Sequence, residues 1–208
     1  MDIEYKGANC VVLSTKNETV VIDPKLSTVG LKDITIKSGV VVATQHEFLA
    51  PSNDTLQVDG PGEYETMNVA IKGVAAERMI DHDKSKHATM YRIEMDNVVF
   101  AVVGHVASPL TEEQLEQIGI VDVAIVPIGG SGYTLDAHQA VSVVRELNPK
   151  VVIPTHYADK DITYEVPQMD LESFIKEMGA EHESTPKYKI KNGTLPEKLT
   201  IVEVTRTA

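Results

Sequence analysis

This sequence predicts a layered α/β fold, and three observations predict it. Short runs rich in Val and Ile, bounded by polar, Gly or Pro punctuation, dominate the first half of the chain and read as strands. Several of them, such as residues 98–103 and 121–126, are too continuously apolar to have a wet face, so layers must cover both sides of at least one sheet. From residue 98 to residue 153, strands alternate with helical periodicity, which is the pattern of α/β layering.

Taken in order, strands are expected at 10–13, 19–22, 39–43, 69–74, 90–93, 98–103, 121–126 and 151–153. A helix is expected at 110–118, where Thr111 offers an N-cap, acidic residues fill the first turn and Gly119 stops the run. A second is expected at 136–147, with Ala140, Val143, Val144 and Leu147 at helical spacing before Asn148 and Pro149. A third, at 170–178, is stopped by Gly179. The tail from 181 to 196 reads as a polar loop before a last strand at 198–204. With no repeat, low-complexity tract or linker, residues 1–208 are expected to form one domain.

Composition narrows the function classes. The chain is 42% hydrophobic and 24% charged, as soluble globular proteins are, and its net charge of -12 argues against a broad electrostatic grip on nucleic acid or an anionic membrane. The single cysteine, Cys10, cannot form an internal disulfide and fits a reducing cytoplasm; inside an apolar run it reads as a small core residue. Neither a signal-peptide pattern nor an apolar run approaching ~18 residues occurs, so a cytoplasmic location without membrane insertion is expected.

The chemistry-bearing residues sit where the strands end. Asp23 follows one strand, Gln45, His46 and Glu47 a second, His105 a third and His156 a fourth. Glycines in the 59–64 and 127–130 segments permit tight backbone turns near them. Four polar strand ends of this kind are expected to assemble into one cleft, with residues 159–168 available to wall it. His105 and His156 are the favoured pair for a shared site. His46 beside Glu47 reads equally well as a hydrogen-bonded loop pair, His82 and His87 read as part of a solvated loop, and His138 and His182 as surface residues. Asp23 before Pro24 is also an ordinary turn residue.

The order of these features resembles the metallo-β-lactamase superfamily, in particular its small zinc-dependent hydrolase branch. Val20-Val-Ile-Asp-Pro24, Gly60-Pro-Gly-Glu-Tyr-Glu65, the run from Val121 to Gly130, Tyr133-Thr-Leu-Asp-Ala137 and Val152-Ile-Pro-Thr-His-Tyr157 are similar to that branch's motifs and occur in its order. The resemblance implies a four-layer αββα sandwich: two mixed sheets face to face, helices outside, active site at one edge. It also implies two metals held by a His-x-His-x-Asp-His loop, a further His, a bridging Asp and a final His, because imidazoles leave zinc an open coordination position where bound water becomes hydroxide.

Mapped onto that pattern, the chain departs from it. Aligned on Thr44, the first two histidines fall on Gln45 and Glu47, and the Asp-His pair on Leu49 and Ala50, which cannot coordinate. A frame shifted by one places His46 first but Phe48 second. The bridging Asp falls on His105, and a neutral imidazole cannot bridge as a carboxylate does. Glu77 stands nearest the middle histidine, or His82 if residues 78–81 are an insertion; His156 alone matches cleanly. The first expectation is therefore a family member without the dinuclear centre that binds an unknown small molecule or protein, or regulates, with homo-oligomerisation open. The second is a hydrolase with one zinc or other divalent ion rebuilt on His105, His156 and Glu47, with Gln45 or His82 as a further candidate ligand. The third, a nucleic-acid binder, has the acidity of the chain against it.

Overall fold

The computed structural model describes residues 1–51, 55–66, 68–79, 87–191 and 194–207. Their strands, in chain order, are β1 (Asp2–Gly7), β2 (Cys10–Ser14), β3 (Thr19–Ile22), β4 (Val40–Val42), β5 (Leu56–Val58), β6 (Gly62–Thr66), β7 (Val69–Glu77), β8 (His87–Met95), β9 (Val98–Val102), β10 (Val123–Pro127), β11 (Val151–Thr155), β12 (Glu181–Thr185), β13 (Tyr188–Lys189) and β14 (Thr200–Val204). The helices are α1 (Glu112–Ile118), α2 (Ala137–Leu147) and α3 (Leu171–Met178). One sheet runs β13-β1-β2-β3-β4-β5, the other β12-β14-β11-β10-β9-β8-β7-β6. Both are mixed: β3, β4 and β5 are parallel in the first, and β9, β10, β11, β14 and β12 in the second.

The buried side chains explain the stacking. Ile3, Leu13 and Ile22 from the first sheet and Ile93, Phe100 and Ile153 from the second belong to one apolar cluster, so the two sheets face each other across it. The opposite face of the second sheet, carrying Val103, Val126 and Val152, packs on α1, α2 and α3 through Ile118, Val144 and Phe174. This is why β10 and β11 are buried at every position. Over the first sheet the outer layer is thin: Cys10, Val21 and Leu26 pack with Val29, Leu31 and Ile36 of the irregular 24–36 segment, which contains a 3-10 turn at Ser27–Val29. The result is the expected αββα sandwich with one helical layer reduced to a wrapped segment.

Helix boundaries follow local chemistry. Thr111 and Gln114 close a capping box on α1, and Asp136 and Gln139 close one on α2. Asn148 and Gly179 end α2 and α3 in the left-handed conformation. The reading of 181–196 as loop is corrected, since β12 and β13 lie there. β12 has no apolar alternation because it is an edge strand whose polar side chains stay exposed while its backbone pairs with β14. His87 is likewise not in a loop: it opens β8 opposite Glu77. β1, β5 and β6 were not anticipated. Among the described residues no helix is long and apolar enough to cross a membrane.

Candidate functional site

The site is built at the carboxyl ends of parallel strands, where open α/β sheets place their crevices. Asp23 follows β3, Thr44 and Gln45 follow β4, His105 follows β9, and His156 follows β11. Three of the residues here that are not glycine, Ala8, Asp23 and His156, have φ near +50°, a conformation costing about 1–3 kcal/mol each and concentrated in proteins at functional sites. Ala8 and His156 hold one another: the His156 N–H donates to the Ala8 carbonyl at 2.7 Å. Gly104, just before His105, has φ +68° and lies so close to Thr44 that a Cβ there would meet the Thr44 Cβ at 2.8 Å.

Under the cleft lies a closed polar network. The buried carboxylate of Asp23 accepts from the Thr44 N–H and the Thr44 hydroxyl, each at 2.7 Å, and from Asn9 Nδ2 at 2.9 Å. Asn9 Oδ1 in turn accepts from the Thr155 hydroxyl at 2.7 Å, which ties the first sheet to the second. No cation enters this network, so burial pushes the Asp23 carboxyl up to about 6 against the pull of its three donors.

Above it stand the two histidines, their ring centroids 4.8 Å apart and their planes perpendicular. Both are buried, and burial pushes both imidazoles down, His156 to about 4 and His105 well below the usual range. At neutral pH each is uncharged. Gln168 fixes which nitrogen of His156 carries the proton. Its Nε2 donates to the Val166 carbonyl at 2.7 Å, so its Oε1, 3.0 Å from His156 Nδ1, can only accept. His156 is therefore the Nδ1–H tautomer and its Nε2 carries a lone pair. Among the described residues His105 has no such partner: both ring nitrogens are enclosed without a hydrogen bond, as are both amide atoms of Gln45.

A cavity of about 410 Å³ opens over the pair. Of the residues singled out by the sequence, Asp23, Glu47, His105 and His156 line it. Gln45 is buried behind that lining, and His46 points to solvent with its Nδ1 on Asp59. His82 lies outside the described residues. The 159–168 segment does wall the cavity, through Tyr164, Glu165, Val166 and Gln168. Sequence reasoning missed Arg78, which reaches over from the end of β7 to Glu47 at 2.6 Å, and the rings of Phe48 and Tyr133 packed against His105. Gly129 carried a signal: a Cβ there would meet Gln168 Oε1 at 1.9 Å and the His156 carbonyl at 2.2 Å, so only glycine lets Gln168 reach His156.

The two-metal centre implied by the resemblance can be tested against these side chains. Glu47 is turned to Arg78, the Asp23 carboxylate is saturated by its own donors, and Leu49 and Ala50 offer no ligand atom. Among the described residues no group of three or more His, Cys, Asp or Glu side chains is gathered to hold a metal ion. The described side chains do not fit a dinuclear centre.

Comparison with known proteins agrees with the fold. The profile of a beta-lactamase superfamily domain matches residues 2–156, and the chain belongs to that superfamily. The relatives it matches include proteins described as metal-dependent hydrolases. One from Anoxybacillus flavithermus is 25% identical over 84% of this chain and 92% of its own length. One from Nanoarchaeum equitans is 41% identical over 56 residues, a local match that spans 26% of each chain. Among solved structures, a protein from Thermotoga maritima assigned as a Zn-dependent hydrolase of the metallo-beta-lactamase superfamily superposes with a TM-score of 0.73. It is 27% identical, over 98% of this chain and 100% of that one.

Proposed function

We propose that this member of the superfamily works without the dinuclear zinc centre, as a binding or regulatory protein that holds a small molecule in the cavity over His105 and His156. The observation that carries the reading is the fate of the ligand positions: among the described residues expected to hold metal, only the two histidines face one another, while Glu47 is committed to Arg78. The wholly buried thiol of Cys10 is in keeping with a cytoplasmic protein.

The alternative, a hydrolase with one ion on His105 and His156, draws on the Gln168–His156 hydrogen bond, because metal-ligating histidines generally anchor their second nitrogen in this way. Thermal unfolding with and without chelator separates the two. A metal that binds only the folded state raises stability with its concentration. The binding reading expects an unchanged midpoint; a fall of more than about 4 °C, roughly 1 kcal/mol for a domain of this kind, would overturn it.

A further inference from the structure

One wall of the cavity is a strap of chain, residues 158–169, between β11 and α3. It begins and ends at one place, where the Ala158 N–H donates to the Met169 carbonyl at 2.9 Å, so it is a closed surface loop. Burial alternates along it: Ile162 is buried and Tyr164, Val166 and Gln168 half-buried, while Asp161, Thr163, Glu165 and Pro167 are exposed. The two halves are fastened differently. In the second, the Met169 N–H donates to the Gly129 carbonyl at 2.7 Å, the Ser131 hydroxyl donates to the Pro167 carbonyl, and Gln168 holds His156. In residues 159–166, among the described residues, one backbone hydrogen bond reaches the rest of the chain, from the Thr163 N–H to the Val29 carbonyl at 3.0 Å on another wall of the cavity. The remaining tie is a side chain. Arg206 Nε donates to Asp159 Oδ2 at 2.6 Å, and its Nη2 to Asp159 Oδ1 at 3.4 Å and Asp161 Oδ2 at 2.8 Å. Gly7 lets this corner close, since a Cβ there would meet Arg206 Cδ at 3.0 Å and Ile162 Cδ1 at 3.1 Å. The tail carrying Arg206 is itself fixed, by the Thr207 N–H on the Tyr5 carbonyl and the Thr205 N–H on the Thr185 carbonyl.

We propose that residues 159–166 are a gate on the cavity and that Arg206 is its latch. Residues 167–169, tied by backbone groups and by Gln168, are the end about which it swings. The free end is held by a partly exposed ion pair and one backbone hydrogen bond, a fastening that opens far more readily than the sheets beneath it. Opening lifts Tyr164, whose ring centroid lies 4.7 Å from that of His156, and breaks the Thr163–Val29 bond that joins two walls of the cavity. His156 is then open to whatever enters. Gates of this kind commonly set how fast a bound molecule comes and goes.

The test reads access to His156 in the full chain with diethyl pyrocarbonate, which acylates neutral imidazoles, followed by peptide mass spectrometry. Chelator-treated protein is used, and the exposed His46 and His138 serve as internal standards. Arg206→Ala is expected to raise the labelling rate of His156, and the amide exchange of residues 160–165, by at least about threefold. His46, His138 and the amides of β10 and β11 should be unchanged. The converse variant shuts the gate. A Cβ at Gly30 would lie 3.8 Å from the Thr163 Cβ, the separation found in disulfides, so Gly30→Cys with Thr163→Cys, oxidised by glutathione disulfide, ties the strap to the facing wall. Cys10 is wholly buried and does not compete. The disulfide form should label at His156 at least about tenfold more slowly than the same protein reduced, a comparison in which the strain of a side chain at Gly30, φ +82°, cancels. Equal labelling in the two redox states overturns the gate. Unchanged access and exchange in Arg206→Ala, or exchange raised throughout the chain, overturns the latch. No ligand enters either measurement, so both outcomes stand apart from what the cavity binds.

Discussion

Thr44 donates both its backbone N–H and its hydroxyl to the carboxylate of Asp23, each at 2.7 Å, and so binds the end of β4 to the end of β3 beneath the cavity. Because no cation accompanies Asp23, burial holds its carboxyl near 6, above the 3.8 of a free aspartate. The folded protein then keeps a proton that the unfolded chain releases between those values. This group's contribution to stability therefore falls as pH rises from about 4 to about 6 and is level above, by at most about 3 kcal/mol. Urea unfolding across that range should show stability climbing more steeply with pH in Asp23→Asn, because the variant loses the carboxyl that opposes the histidines, and an unchanged slope would mean Asp23 is ionised throughout.

The histidines act in the opposite sense. His156 is held near 4 and His105 lower still, while the unfolded chain protonates both near 6.5. Acidification from 6.5 toward 4 thus favours unfolding, and with two imidazoles against one carboxyl the net acid limb is destabilising. His156→Leu should shallow that limb measurably in the same titration. A limb of unaltered steepness contradicts a buried, neutral His156.

His105 makes a sharper case. Its two ring nitrogens are enclosed without a partner among the described residues, which costs about 1–3 kcal/mol. His105→Leu should accordingly leave the ligand-free protein as stable as before or more stable by about 1 kcal/mol, although most buried substitutions destabilise. A loss of more than about 2 kcal/mol would show that His105 has a partner in the protein.

Gly129 is the fulcrum of the Gln168–His156 bond. Gly129→Ala drives a Cβ into Gln168 Oε1 and the His156 carbonyl, so a loss of about 1–3 kcal/mol is expected together with disturbed His156 resonances. Glu47→Gln, by contrast, removes half of an ion pair whose carboxylate is half exposed, and should change stability by less than about 1 kcal/mol.

How much of this the sequence reveals depends on which interactions are local. Strands such as β10 and β11 are legible because burial on both faces demands unbroken Val and Ile, and α1 and α2 because Thr111 and Asp136 announce their caps. β12 is not, since an edge strand is held by its backbone and leaves its side chains free to be polar. In the site, the strand-end positions of Asp23, His105 and His156 can be read from punctuation alone. Arg78, Gln168 and Asn9 cannot: each acts on a residue 12 to 146 positions away, and only the sheet topology sets those pairs side by side.

The central claim, that this chain holds its ligand without the superfamily's metals, is most directly tested by plasma mass spectrometry. The protein should be purified without a metal-affinity tag and measured before and after mild chelation. Transition metal far below one equivalent per chain, unaffected by chelator, is the predicted result. About one equivalent retained through dialysis and lost in the His105→Ala, His156→Ala double variant would contradict it and place a metal ion between those two histidines.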